Sequence, residues 1–235
     1  MSRGLFITGT GTGVGKTYVA ALIARALRAE GRRVGVYKPV ASGCEARNGQ
    51  LFSPDAIALR EAAGQPATLE QVCPQRFTAP LAPHLAARAE GQRVDSRLLR
   101  QGLAHWQAIS DIVIVEGAGG LMSPLSDDDY NADVAAEFGF PLVIVAANVL
   151  GTINATLQTL ITARSEERGV RGERSRALAV AGVVLNSPAS VADDPSVESN
   201  AEELGQRCAC PLLAAVKHGG EFDQQVNWWQ LAATA

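Results

Sequence analysis

The sequence predicts an α/β protein: one domain, built as a doubly wound, mainly parallel sheet flanked by helices. Two observations carry that expectation. Apolar, β-branched runs recur along the whole chain, and segments with apolar residues at helical spacing separate them. The runs themselves lack apolar–polar alternation, as in Asp111-Ile112-Val113-Ile114-Val115. A strand of that kind is covered on both faces, which implies parallel pairing with crossover helices.

Leu5-Phe6-Ile7 is the first strand and ends at Gly9. Thr17 to Ala29 is the first helix: Val19, Leu22, Ile23, Ala26 and Leu27 fall on one face, and Gly31 stands where a C-terminal cap glycine belongs. Val34 to Tyr37 is the second strand, closed by Lys38-Pro39. Residues 54 to 63 read as a short helix, and Pro66 to Pro83 as a proline-rich loop. Asp95 or Ser96 caps a helix from Arg97 to Ile109. The strands at 111–115, Pro141 to Ala147, Ala177 to Leu185 and Pro211 to Val216 bring the number to six. Helices from Gly151 to Glu167 and from Ser196 to Arg207 lie between them. Residues 168 to 176, rich in Arg and Gly, read as a surface turn.

The 235 residues suit one large α/β domain, and an apolar content of 47% is that of a globular protein. A net charge of −3 gives no support to a nucleic-acid partner or an anionic membrane. No uninterrupted apolar run is long enough to span a bilayer, and the start of the chain shows no leader pattern. A cytoplasmic location is therefore expected. Cys44, Cys73, Cys208 and Cys210 are scattered without metal-clip spacing and read as free thiols. His84, His105 and His218 read as surface or satisfied histidines.

Chemistry enters with the stretch between the first strand and the first helix. Its order is strand, glycine-rich turn, Gly15-Lys16-Thr17, helix. Backbone N–H groups in such a turn and at the following helix N-terminus point at phosphate oxygens. Gly13, Val14, Gly15, Lys16, Thr17 and Tyr18 thus form a candidate nucleotide cradle. Lys16 can reach the β- and γ-phosphates, and the Thr17 hydroxyl can ligate Mg²⁺. Thr10 stands where the strict P-loop pattern wants its first glycine, so the loop is a lengthened variant. Glu116, at the end of an apolar strand, and Asp55, after the second strand, are the acidic candidates for Mg²⁺. For each there is a plainer alternative: a salt-bridged carboxylate for Glu116, a helix N-terminal charge for Asp55. Asp133 reads as part of a solvated helix face.

The chain resembles the dethiobiotin synthetase family. The resemblance rests on Thr8-Gly9-Thr10 with Thr12 and Val14-Gly15-Lys16-Thr17, on Tyr37-Lys38-Pro39-Val40-Ala41-Ser42-Gly43, and on Asp55-Ala56. It rests further on Val115-Glu116-Gly117-Ala118-Gly119-Gly120 with Ser123-Pro124-Leu125-Ser126-Asp127, and on Leu150-Gly151 with Ile153-Asn154. It covers residues 3 to about 190, and the lengthened loop is a habit of that family. The resemblance implies a homodimer that converts 7,8-diaminopelargonic acid, CO₂ and ATP into dethiobiotin, ADP and phosphate. A carbamate and a carbamic-phosphoric anhydride are the implied intermediates. By the same resemblance Lys38 faces the carbamate and the transferring phosphoryl group, Thr12 and Ser42 offer hydroxyls to the substrate, and Asn186 contacts adenine. Leu150, Gly151, Thr152 and Asn154 would take the substrate carboxylate across the dimer interface. Two departures stand out: Gly13 replaces a glutamate frequent in relatives, and Val216-Lys217-His218 lacks a frequent proline.

Two other readings are compatible with a P-loop: an ATPase switch that positions partners, and a ligase similar to cobyrinate synthetases. The switch reading expects an additional lysine early in the loop, and none lies between Gly9 and Val14. The ligase reading expects a glutamine-hydrolysing Cys-His site, for which the chain offers no candidate.

Overall fold

The structure, a computed structural model, describes residues 3–165, 177–188 and 194–233. In chain order its elements are β1 (Arg3–Gly9), α1 (Lys16–Ala29), β2 (Val34–Tyr37), β3 (Val40–Ala41), β4 (Glu45–Arg47), β5 (Gln50–Phe52), α2 (Pro54–Ala62), α3 (Leu69–Val72) and β6 (Gln75–Arg76). There follow α4 (Pro83–Ala89), α5 (Ser96–Ile109), β7 (Ile112–Gly120), α6 (Asn131–Phe138), β8 (Leu142–Ala147), α7 (Thr152–Arg164), β9 (Val180–Asn186), α8 (Val197–Arg207), β10 (Leu212–Val216) and α9 (Trp228–Leu231). The Arg- and Gly-rich stretch 168–176, and the expected helix end at Glu167, lie outside the described residues.

Six strands form one sheet in the order β10-β9-β8-β1-β7-β2, every neighbouring pair parallel. The expected fold class is therefore observed. Consecutive strand residues point to opposite faces, yet Leu5, Phe6 and Ile7 are all fully buried, as are Ile112 to Val115 and Leu142 to Ala146. Both faces of the sheet are thus covered by helices, which is why these runs show no alternation. From β1 the chain winds out to β2 and returns to β7, then crosses β1 to build β8, β9 and β10 on its other side. That reversal places a crevice beyond the C-terminal end of β1, where open α/β sheets bind ligands.

Several boundaries differ from those expected, each for a local reason. β7 does not stop at Val115 but runs on through the glycines to Gly120. Asn131 holds that extension straight: its side-chain N–H group donates to Ala118 O at 2.6 Å and Gly120 O at 2.8 Å, and its oxygen accepts from Ala118 N–H. β9 starts at Val180 rather than Ala177, because the Leu178 N–H turns to Ala163 O at the end of α7. The stretch 66–83 is not one loop. It contains α3 and β6, and it ends on the first residue of α4. Asp133 is a cap rather than a plain solvated charge, since its Oδ2 accepts the Tyr130 N–H at 2.8 Å.

Asp95 is the cap of α5, its carboxylate accepting from Arg97 N–H at 2.7 Å and Leu98 N–H at 3.3 Å. Asp95→Ala should lower the unfolding free energy by about 1 kcal/mol, since a lost N-cap leaves two helix donors to water alone. Urea denaturation with an unchanged m-value would show it; an unchanged midpoint would not fit this cap.

Candidate active site

The loop between β1 and α1 is shaped by its glycines. Gly13 and Gly15 both adopt positive φ, 78° and 93°. The N-cap of α1 is Gly15, with no side chain capping the first turn and no acidic residue in it. The first-turn N–H groups are therefore left for an anion. Lys16 is 7% exposed and folds back over its own loop, its Nζ donating to Gly11 O at 2.9 Å.

Three further elements bring charge to this loop. Glu116 sits in β7 opposite Ile7 of β1 and is 1% exposed. Its Oε1 accepts the Thr17 hydroxyl at 2.9 Å and the Lys38 ammonium at 2.7 Å. Lys38 follows the last residue of β2, and its backbone N–H is fixed to Val72 O at 2.8 Å. Asp55 lies in the first turn of α2, which Ser53 caps, and its Oδ2 is 3.1 Å from Lys38 Nζ. Thr17, Asp55, Glu116 and Lys38 thus form one connected polar cluster at the C-terminal edge of the sheet.

Burial pushes the pKa of Lys16 down, with Glu116 offsetting part of the effect. Burial opposes charge on Lys38 too, but Glu116 and Asp55 together outweigh it and hold its pKa above that of an ordinary lysine. Asp55 is held below the usual carboxylate range because contact with Lys38 exceeds its own desolvation. Lys38 is therefore a fixed cation and Asp55 a fixed anion near neutral pH.

The loop and the cluster open into a cleft of about 840 Å³. Among its lining residues are Thr12, Gly13, Gly15, Lys16, Thr17, Tyr18, Lys38, Ser42, Asp55 and Glu116. These expected site residues converge, although they come from β7 and from segments following β1, β2, β3 and β5. Sequence reasoning missed the opposite wall, Pro80-Leu81-Ala82-Pro83, and the contribution of Ser123. The prolines carried a readable signal, rigid turns beside a binding run, that was absorbed into the proline-rich loop. Asn186, at the end of β9, does not line the cleft; its side-chain N–H group donates to Val14 O at 3.0 Å and braces the loop from behind. Val14 is buried beneath the loop. His84, His105 and His218 do not line the cleft; His84 is half-buried, with its Nδ1 unpartnered.

Leu150, Gly151, Thr152 and Asn154 are not brought to the cleft of their own chain. They begin α7, where Leu150 is 83% exposed and Thr152 is buried with an unpartnered hydroxyl. The Leu150 N–H donates to Asp194 Oδ2 at 2.8 Å, so this helix start already meets a carboxylate.

Gly15 has no room for a side chain: a Cβ there would lie 2.2 Å from Asn186 Nδ2. Gly15→Ala should therefore weaken ATP binding about tenfold, combining strain at positive φ of roughly 1–3 kcal/mol with loss of the Asn186 brace. Calorimetric titration with a non-hydrolysable ATP analogue measures it, and unchanged affinity would contradict the described packing.

The donors present suit Mg²⁺. Glu116 Oε2 is buried with no hydrogen-bond partner, and Thr17 and Asp55 add oxygens beside it. No group of three or more His, Cys, Asp or Glu placed to hold a metal ion occurs among the described residues. A hydroxyl and two carboxylates are what Mg²⁺ takes when phosphates and water complete its shell.

A family model described as an AAA domain matches residues 3–225. The ATP-dependent dethiobiotin synthetase BioD of Rhodopirellula baltica is 44% identical over 223 residues, covering 90% of this chain and 83% of that protein. The protein of the same name from Anaeromyxobacter dehalogenans strain 2CP-C is 45% identical over 204 residues, covering 87% and 85%. Its namesake from Aromatoleum aromaticum is 37% identical over 218 residues, covering 92% and 91%. Among solved structures, the septum site-determining protein MinD from Pyrococcus horikoshii, complexed with Mg-ADP, superposes with a TM-score of 0.52 at 18% identity. That match covers 92% of this chain and 82% of MinD. A ParA family ATPase from Chlorobium tepidum gives 0.53 at 16% identity, covering 92% and 84%. These two show the same fold.

Proposed function

We propose that this chain, which belongs to the ATP-dependent dethiobiotin synthetase family of ligase-type enzymes, joins CO₂ to 7,8-diaminopelargonic acid and closes the cyclic urea at the expense of ATP. The observation that carries the reading is the convergence of Lys16 and Lys38, from separate elements, on one cleft with Thr17, Asp55 and Glu116. A phosphate cradle alone needs only the first lysine. A second buried cation suits chemistry in which two anions, a carbamate and a triphosphate, must meet.

In this reading one substrate amine adds CO₂ and releases a proton, giving the carbamate. A carbamate oxygen attacks the γ-phosphorus and ADP leaves. The second amine then attacks the carbonyl carbon of the mixed anhydride, phosphate leaves, and the urea ring closes. Lys16 and the first-turn N–H groups of α1 hold the phosphates in line. Lys38 offsets the charge of carbamate and transferring phosphoryl group. Thr12 and Ser42 offer hydroxyls to the diamine and carbamate, and Asn186, by swinging from Val14, would meet the adenine. Thr17, Asp55 and Glu116 would hold Mg²⁺, which supplies neutralisation of the β- and γ-phosphate oxygens when bound. Ring closure is intramolecular, so orientation in the cleft supplies much of its acceleration.

A homodimer completes the site in this reading. Asn154, Leu157 and Ile161 fall on one stripe of α7 and Leu150 stands just before it, with Leu150 83% and Ile161 69% exposed, which suits a covered face. The single six-stranded sheet, built from both ends of the chain, supports one P-loop domain. The unpaired Cys44, Cys73, Cys208 and Cys210 suit a cytoplasmic protein. Among the described residues no helix is long and apolar enough to cross a membrane.

The test is mass detection of dethiobiotin from purified protein supplied with ATP, Mg²⁺, bicarbonate and diaminopelargonic acid. ATP turnover should require the diamine. ATP hydrolysis indifferent to the diamine, with no cyclic urea formed, would overturn the reading in favour of an ATPase switch.

A further inference from the structure

Lys38 occupies the place that the proposed function assigns to a metal ion. Its ammonium lies 2.7 Å from Glu116 Oε1 and 3.1 Å from Asp55 Oδ2, in a residue only 3% exposed. The Thr17 hydroxyl donates to the same Glu116 Oε1. Among the described residues no other lysine or arginine is ion-paired with either carboxylate. Lys16, the nearest rival, is turned onto Gly11 O instead.

Glu116 is buried and Asp55 half-exposed beside it, and two carboxylates brought this close repel each other unless a cation stands between them. Lys38 supplies that cation. A divalent ion on the same oxygens would stand beside a buried ammonium, and like charges at contact distance in a desolvated site are strongly unfavourable. The pair of carboxylates therefore holds one cation or the other.

We propose that Lys38 is a resident counter-ion of the Asp55–Glu116 pair that is displaced into the cleft when a divalent cation arrives with nucleotide. The proposal rests on reading Thr17, Asp55 and Glu116 as the cation ligands. Its consequence is an order of events. Until nucleotide and cation are loaded, Lys38 is occupied and cannot serve an anionic substrate; loading releases it. The backbone of Lys38 is anchored through Val72 O, so the movement is a swing of the side chain alone. The cleft it would enter is lined by Ala41, Ser42 and Gly43, just beyond it in the chain.

Mn²⁺, followed by electron paramagnetic resonance on nucleotide-free protein, is the probe. Lys38→Met should bind Mn²⁺ about tenfold or more tightly than the wild type, because vacating the carboxylates removes a competing bound state. Lys16→Met removes a neighbouring charge without vacating them and should gain severalfold less. No gain in Lys38→Met, or an equal gain in both variants, overturns the proposal. A second measurement uses the wild type and does not depend on the variants folding. The side-chain ¹⁵Nζ resonance of a buried, ion-paired lysine is protected from exchange. It should persist with ADP in EDTA and shift or vanish with Mg²⁺ and ADP. A resonance that ignores Mg²⁺ with ADP overturns the displacement. Neither measurement uses diamine or CO₂, so its failure and that of the product assay are distinguishable.

Discussion

Lys16→Ala should lower kcat by about 10²–10³, equivalent to roughly 3–4 kcal/mol of transition-state stabilisation, while leaving the protein folded. The expectation follows from where the ammonium sits. Its only described hydrogen bond is to Gly11 O, a contact within the loop that ties no distant element to another. Removing it costs the fold little, and shortening a partly desolvated lysine relieves a charge that burial already disfavours. Phosphoryl transfer is different. Charge moves from the γ-phosphate toward the leaving β-phosphate, and a fixed cation over both is stronger in the transition state than in the ground state. The loss should therefore fall on kcat more than on nucleotide affinity. Single-turnover rates at saturating ATP, with thermal melts as the control, decide it. A variant that keeps half the wild-type kcat would remove Lys16 from the chemistry.

The parts of this fold legible in the sequence are those where burial is uniform. The central strands are buried on both faces, and such runs declare themselves as unbroken Val, Ile and Leu. The β4–β5 hairpin escaped because Glu45, Ala46 and Arg47 are all exposed and carry no core pattern. The only signal was its turn, Asn48-Gly49, with φ of 50° and 75°, the dipeptide that a tight hairpin favours. α3 was hidden in a proline-rich stretch although Thr68 and Gln71 form a reciprocal cap readable from their spacing. α9 is four residues long, and its position depends on distant partners. Trp229 lies under the guanidinium groups of Arg3 and Arg32, contacts from the far end of the chain that no local pattern announces.

For the site, residue types on the phosphate loop were legible because phosphate binding constrains backbone and sequence together. Asp55 and Glu116 were legible only as candidates. What joins them is Lys38, and a three-way contact among α2, β7 and the end of β2 is a property of the folded sheet. The prolines of the wall at residues 80–83 announced a rigid turn, but nothing local in a proline run says which surface it will face.

If the proposed homodimer shares its sites, mixing the impaired Gly151→Trp and Lys16→Ala proteins should restore about a quarter of wild-type activity once subunits have exchanged, as the statistics of a two-fold dimer require. The cleft gathers cations and N–H donors for phosphate but lacks Leu150, Gly151, Thr152 and Asn154. The proposed substrate, 7,8-diaminopelargonic acid, is long: its carboxylate lies at the end of an aliphatic chain, far from its two amines. The start of α7 offers a helix N-terminus, and an anion there is favoured by free N–H groups and the helix dipole. That Leu150 N–H already takes the Asp194 carboxylate shows the segment accepting such a group. If the segment of one protomer faces the cleft of its partner, each site is composite. A mixed dimer then pairs the sound phosphate loop of the Gly151→Trp chain with the sound helix start of the Lys16→Ala chain, giving one intact site, while the other carries both lesions. Gly151 has open space around it and a φ of 92°, so a bulky residue obstructs the surface at the cost of local strain. In the Gly151→Trp homodimer the diamine KM should rise while ATP binding is kept. Native mass spectrometry establishes that heterodimers have formed. Heterodimers without activity would mean that each site is completed within its own chain, and the carboxylate would have to be sought near Ser123 or the 80–83 wall instead.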